Sequence, residues 1–170
     1  MSRLRLVSPD SPVAAPLHAG LRRCGAGLDG YSPLEFLPPA GALVVLEEDG
    51  ATVAGGALRR LGPGVGEIKR MWTAPAHRRR GHARRVLTAL EEAAARRGYH
   101  TLRLEAGERM TAAIGLYRSA GYTPAGSDRS FEKRLDVRDH LAADELDRGE
   151  ILVRKMLEHR SLHARLSQAA

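Results

Sequence analysis

The sequence predicts an α/β (α+β) domain built on a mixed, mostly antiparallel sheet flanked by helices. Three observations carry this reading. ALVVLEEDGATVAGGALRRL, at 42–61, holds two apolar, valine-containing runs on either side of Asp49-Gly50. Such a dipeptide between such runs signals a hairpin, because Gly tolerates positive φ. From Ala83 the period changes: Ala83, Val86, Leu87, Leu90, Ala93 and Ala94 recur at helical spacing and form one apolar stripe. TLRLE, at 101–105, then alternates with Leu102 and Leu104 on one face, as a strand does.

The elements follow in order. LRLV, at 4–7, reads as a short first strand ended by Pro9. The next thirty or so residues are interrupted by Pro12, Pro16, Pro33, Pro38 and Pro39, which leaves room for a short helix over 17–24. After the hairpin, the Gly62-Pro63-Gly64 turn leads to a third run, GEIKRMWTA, at 66–74. The long helix then ends at Gly98, a favoured residue just past a helix C-terminus. Beyond the strand at 101–105, Ala113, Leu116, Tyr117 and Ala120 mark a second helix stopped by Gly121, and SFEKRL, at 130–135, is a last strand. The order is β-β-β-α-β-α-β after an irregular start. Residues 1–135 form the domain. Residues 136–170 read as a helical extension, with Ile151, Leu152, Met156 and Leu157 on one face, able to pack on the domain, join a homodimer or stay partly disordered.

A chain of 170 residues has the length of one domain with a real core. With aromatics at 4%, that core rests on Ala, Leu, Val and Ile. Cys24 is the single cysteine, so no internal disulfide forms, and a reducing, cytoplasmic location is expected. The N-terminus lacks an apolar run suited to a signal peptide. No segment approaches the roughly 20 apolar residues that span a bilayer, so no membrane partner is expected.

The net charge of +7 is concentrated in RRRGHARRVL, at 78–87, where five arginines surround Gly81. Arginines at a helix start oppose the helix dipole, so this segment is a candidate anion site rather than a solvated face. A helix N-terminus presents unpaired N–H groups to phosphate, and Gly81 lets the backbone approach without a Cβ in the way. Neither G-x-x-x-x-G-K nor G-x-G-x-x-G is present. Nucleic acid is a weaker reading, because no aromatics for stacking are interleaved with the basic residues and no reading helix stands out. His159 and His163 are four residues apart but have no third ligand nearby, so no metal is expected.

Arg78-Arg79-Arg80-Gly81-His82-Ala83 resembles the acetyl-CoA motif of the GNAT superfamily of N-acetyltransferases: Arg or Gln, two residues, Gly, one residue, then Gly or Ala. AAIGLYRSAGY, at 112–122, is similar to that family's second signature, A-x-x-L-Y-x-x-x-G followed by Phe or Tyr. GEIKRMWTAPAHRRRG resembles its fourth strand and exit loop. The resemblance covers 42–135 in the right order and the first 41 residues more loosely. The 35 C-terminal residues lie outside it. Met110 departs from the pattern, standing where the family often has Asn.

The resemblance implies a sheet splayed between its fourth and fifth strands, with acetyl-CoA as cosubstrate in the gap. It puts Met71, Trp72 and Thr73 beside the pantetheine arm, with a backbone N–H near Met71 or Trp72 polarising the thioester carbonyl; the Trp72 side chain itself reads as strand packing, and only its backbone is a candidate. The pyrophosphate falls to the amides from Arg79 through Arg80, Gly81 and His82 to Ala83, with Arg78 and Arg84 adding charge. Tyr117 matches the tyrosine that protonates the departing thiolate, against the alternative of a core tyrosine; a phenol of pKa about 10 keeps its proton at neutral pH. Glu67, eleven residues before Arg78, matches a fourth-strand general base. Its alternative is a half-exposed strand residue paired with Lys69 or Arg103; Glu105 is a second candidate base, and direct attack by neutral amine needs neither.

The implied activity is transfer of an acetyl group to a primary amine by direct attack in a ternary complex. A small-molecule amine is favoured over a protein lysine or α-amine, and Asp29, Glu35 and Asp128 could meet a cationic acceptor. A non-catalytic acyl-CoA-binding regulatory module is the rival on the same fold, and Tyr117 argues against it.

Overall fold

Asp49 (φ 51°) and Gly50 (φ 83°) both adopt left-handed backbone, the geometry that a two-residue hairpin turn requires. They join β2 (Ala42–Glu48) to β3 (Ala51–Gly62), the centre of the sheet. The protein is seen as a computed structural model that describes residues 1–25, 32–127 and 129–136. Around the hairpin stand β1 (Ser2–Leu6), β4 (Val65–Thr73), β5 (Thr101–Glu105), β6 (Thr123–Pro124) and β7 (Ser130–Arg134). The helices are α1 (Ala15–Arg23), α2 (His82–Arg96) and α3 (Thr111–Ser119).

The strands form one sheet of order β1-β2-β3-β4-β5-β7-β6. All pairings are antiparallel except β4 with β5, the pair connected through α2. This is the expected mixed α+β architecture. Strand and helix order also follow the sequence reading, with small shifts. The first strand starts at Ser2 and pairs with the far end of β2. Helix α1 starts at Ala15 because Pro16 fits its first turn, where the missing N–H breaks no bond. β6 escaped the sequence reading because two residues cannot show a period. Past the end of α2, Gly98 takes φ 78°, as the expected stop. Of the predicted extension over 136–170, all but Asp136, and so His159 and His163, lies outside the described residues.

Both faces of the central strands are covered, and β2 shows how. Val44 and Leu46 face one cluster with Val86, Leu87 and Leu90 of α2. Leu43 and Val45, one residue out of phase, face a second cluster with Leu17 and Leu21 of α1 and with Phe36 and Trp72. Leu87 and Leu90 are buried to 1% and 0% exposure; each such side chain contributes roughly 1.5–3 kcal/mol relative to exposure. The sheet is therefore a rigid middle layer. What it positions is the C-terminal end of β4 and the loop that follows.

Candidate active site

The β4–β5 ladder runs from Val65↔Thr101 to Ile68↔Leu104 and stops there. The cause lies on the other edge of β4. Gly55 pairs with Trp72 and Ala57 with Lys69, so Arg70 and Met71 together face the single residue Gly56. That is a β-bulge, which bends and twists the strand that carries the extra residue. Arg70 accepts a left-handed φ of 57° there, and its guanidinium stacks 4.5 Å from the centre of the Phe36 ring. A Cβ on Gly56 would come within 2.5 Å of the Met71 sulfur, so only Gly lets the bulge pack on α2. The Ala74 N–H bonds to the Val53 carbonyl on the β3 side. By strand alternation the Met71 and Thr73 amides face the opposite, opened edge.

The segment after β4 makes the candidate anion loop. A short 3₁₀ turn, Pro75–His77, leads to Arg79 at φ 63° and Gly81 at φ 79°. Gly81 caps α2 without a side chain, and the first bond into the helix is from the Arg85 N–H to the Gly81 carbonyl. The amides of Arg79, Arg80, Gly81, His82 and Ala83 meet no acceptor among the described residues. A Cβ built on Gly81 meets nothing within 4 Å. This is a row of N–H groups at a helix N-terminus, suited to pyrophosphate.

The five arginines are not all turned to that row. Arg78 Nε bonds back to the Thr73 carbonyl (3.3 Å), and Arg80 reaches Glu48 Oε2 (3.8 Å). Arg84 bonds to the Ser119 hydroxyl at the end of α3, and Arg85 to the Ser2 hydroxyl (2.7 Å). Arg79 alone of the five makes no side-chain hydrogen bond or ion pair among the described residues.

Tyr117, on α3, is 4% exposed and belongs to the cluster against which Met71 packs. Its ring meets that of Tyr122 edge to face, with centroids 6.0 Å apart. Burial pushes the Tyr117 phenol up to about 12, so it stays protonated and is a hydrogen-bond donor at any working pH.

Glu67 is 6% exposed, not half-exposed. Arg59 Nε donates to its Oε2 at 2.6 Å, and the Lys69 ammonium lies 3.0 Å from its Oε1. Arg59 also holds Glu35 at 3.1 Å. Lys69 pairs as expected, but Arg103 is engaged with Glu132 instead (3.0 Å). Glu105 stands at the end of β5 with its side chain 63% exposed, 3.7 Å from Lys69.

The model of the acetyltransferase (GNAT) family matches residues 15–122 of the sequence. The chain belongs to this family. An uncharacterised N-acetyltransferase of Bacillus subtilis (strain 168), YsnE, is 43% identical over 77 residues, which are 44% of this chain and 51% of that protein. The chain thus spans about half the length of this curated relative. A solved candidate acyl-CoA N-acyltransferase from Klebsiella pneumoniae subsp. pneumoniae MGH 78578 is 30% identical and covers 80% of this chain and 99% of its own, with a TM-score of 0.68. YncA, a candidate acetyltransferase of Salmonella typhimurium solved with its cofactor acetyl-CoA, is 19% identical, covers 84% of this chain and 98% of its own, and has a TM-score of 0.64.

In GNAT terms, the structure brings the β4 edge, the glycine-capped loop and the buried tyrosine onto the face covered by α2 and α3. It turns some expected groups elsewhere. The His82 imidazole points into the protein and is 6% exposed, so only its backbone N–H joins the loop. The Trp72 indole, by contrast, packs on α1 as a strand packing residue should, where a Cβ on Gly20 would lie 2.1 Å from its Nε1. Arg84 is spent on α3. Asp29 and Asp128 lie outside the described residues. The Arg70 bulge went unseen in the sequence; its one trace is Gly55-Gly56 on the neighbouring strand, thin enough for close approach on both faces. No helix among the described residues is long and apolar enough to cross a membrane.

Proposed function

We propose that this GNAT chain is an acetyl-CoA-dependent N-acetyltransferase that acetylates a primary amine of a small molecule in a ternary complex. The observation that carries the proposal is the junction at the end of β4, where an opened strand edge runs directly into a row of free amides around a left-handed Gly81. An extended pantetheine arm and a pyrophosphate have that same sequence of needs. Acetyl-CoA supplies the activated acetyl thioester.

The chain's own groups divide the remaining work. The Arg79 to Ala83 amides hold the pyrophosphate, with Arg79 free to reach a further phosphate. The Met71 amide, on the opened edge, donates to the thioester oxygen as negative charge builds there; loss of one such donor typically costs about 10²–10³ in rate. Tyr117 donates its phenolic hydrogen to the departing sulfur. With its phenol near 12, this is a hydrogen bond to a nascent thiolate whose conjugate thiol is the stronger acid. Glu67 has both carboxylate oxygens committed to Arg59 and Lys69, so we assign it to positioning. Glu105 receives the amine proton through water, and its exposed carboxylate also suits a cationic acceptor. A single, exposed Cys24 supports a cytoplasmic setting.

A calorimetric titration with acetyl-CoA, followed by an amine panel scored by thiol release, tests this. Saturable binding with thiol release that requires an amine is the expected result. Binding without release for any amine would favour the non-catalytic acyl-CoA-binding module, and no binding at millimolar acetyl-CoA would overturn the reading.

A further inference from the structure

Behind the anion loop, three potential ligands converge from separate parts of the chain. Glu48 ends β2, His77 closes the 3₁₀ turn and His82 opens α2. One ligand atom from each lies within 4.8 Å of the other two. His77 Nδ1 is 2.9 Å from Glu48 Oε2, and His82 Nε2 is 3.7 Å from the same oxygen.

His82 is the telling member. Its side chain is 6% exposed, and neither ring nitrogen has a hydrogen-bond partner among the described residues. Buried imidazoles usually satisfy at least one nitrogen, so an inward-pointing ring with none asks for a ligand.

We propose that Glu48, His77 and His82 bind a first-row divalent cation, Zn²⁺ in particular. Two imidazole nitrogens and a carboxylate oxygen are a donor set that Zn²⁺ takes, with water in the fourth position. Tetrahedral bonds of 2.0–2.1 Å place neighbouring donors about 3.3 Å apart, and the separations of 2.9 and 3.7 Å from Glu48 Oε2 bracket that spacing. The third pair, His77 with His82, lies within 4.8 Å, and the His77 side chain, 30% exposed, has room to turn toward the cation. Arg80 is the guanidinium beside the carboxylate (3.8 Å); at 57% side-chain exposure it can swing into solvent when the cation enters.

The site spans the anion loop: His77 and His82 flank residues 78–81, and Glu48 ties both to the sheet. A bound cation would hold the loop amides in one arrangement. Its effect on acetyl-CoA rests on the function proposed above, but metal binding itself does not.

The test uses the full chain, stripped with chelator and desalted, without acetyl-CoA. Zn²⁺ is titrated by calorimetry, and Co²⁺ by its visible absorption. One ion per chain is expected, weakened at least about tenfold in Glu48→Gln and in His77→Ala, as loss of a ligand or its support does. His77 is half-exposed, so its variant should stay folded even if a change at His82 does not. Absence of Zn²⁺ binding at about 100 μM, far weaker than built zinc sites, would overturn the proposal. So would binding unchanged in both variants, which would assign the ion to other histidines such as His159 and His163. A tighter acetyl-CoA affinity in the Zn²⁺-loaded chain would then connect the site to the loop; metal binding without that change leaves the site standing and removes its role in cofactor capture.

Discussion

Arg59 and Glu67 face each other across β3 and β4, and the Arg59 Nε–H bonds to Glu67 Oε2 at 2.6 Å. With Lys69 on the other oxygen, Glu67 is the centre of a half-buried ion cluster. Removing one partner of a buried ion pair costs about 3–5 kcal/mol, and solvent access to Arg59 lowers the expected figure for Glu67→Gln to about 2 kcal/mol. The same variant should keep kcat/KM within tenfold of the parent. Glu105→Gln should show the reverse: an unchanged melting temperature and a loss of about 10²-fold in kcat/KM, the lower range for a general base. Denaturant unfolding and amine-dependent turnover of the two variants decide the matter; a Glu67→Gln protein that folds as stably as the parent but is inactive would return the base role to Glu67.

Gly81→Val separates loop conformation from bulk stability. The φ of 79° disfavours any β-branched residue, while its Cβ would meet no protein atom within 4 Å. Left-handed backbone costs an L residue roughly 1–2 kcal/mol, so the variant should fold with a slightly lower melting temperature. Its acetyl-CoA affinity, read by calorimetry, should fall at least tenfold because the new side chain stands where the phosphates approach.

Tyr117→Phe keeps the ring in the core and removes only the hydroxyl. The expected result is a kcat lower by about 10²–10³ with acetyl-CoA affinity unchanged, as for loss of one hydrogen-bond donor to a developing charge. The pH profile of the parent carries the sign. Burial raises the phenol to about 12, so the protonated, competent form persists through pH 11, and Tyr117 contributes no descending limb to kcat below that. A limb near pH 10 that vanishes in Tyr117→Phe would show a less buried phenol than the structure has.

Gly20→Ala tests how α1 seats on the sheet. The added methyl would stand 2.1 Å from Trp72 Nε1, and the indole is held in the second core cluster. Overpacking of this kind costs about 1–3 kcal/mol, to be read as a lower urea midpoint with an unchanged slope.

The parts of this fold that a reader of the sequence could find are those with local causes. Asp49-Gly50 makes its turn through its own φ preferences, the α2 stripe and Gly98 bound one helix, and Gly81 among arginines marks its start. The arginine run drew attention to the same loop, since no helix start favours that charge. Local chemistry could not show where each side chain ends up. Glu48 and His77 are 29 residues apart in sequence and 2.9 Å apart in space. Arg59 captures Glu67 because of a strand register, and farther along the same strand pair that register shifts at a bulge at Arg70 whose one trace, Gly55-Gly56, lies on the neighbouring strand. Turns, caps and periods are written in adjacent residues and survive being read one stretch at a time. Ion pairs, bulges and side-chain clusters depend on how sheets and helices pack, so the glycine-capped loop could be found in the sequence while the surroundings of Glu67 and His82 emerged only when the strands were laid side by side.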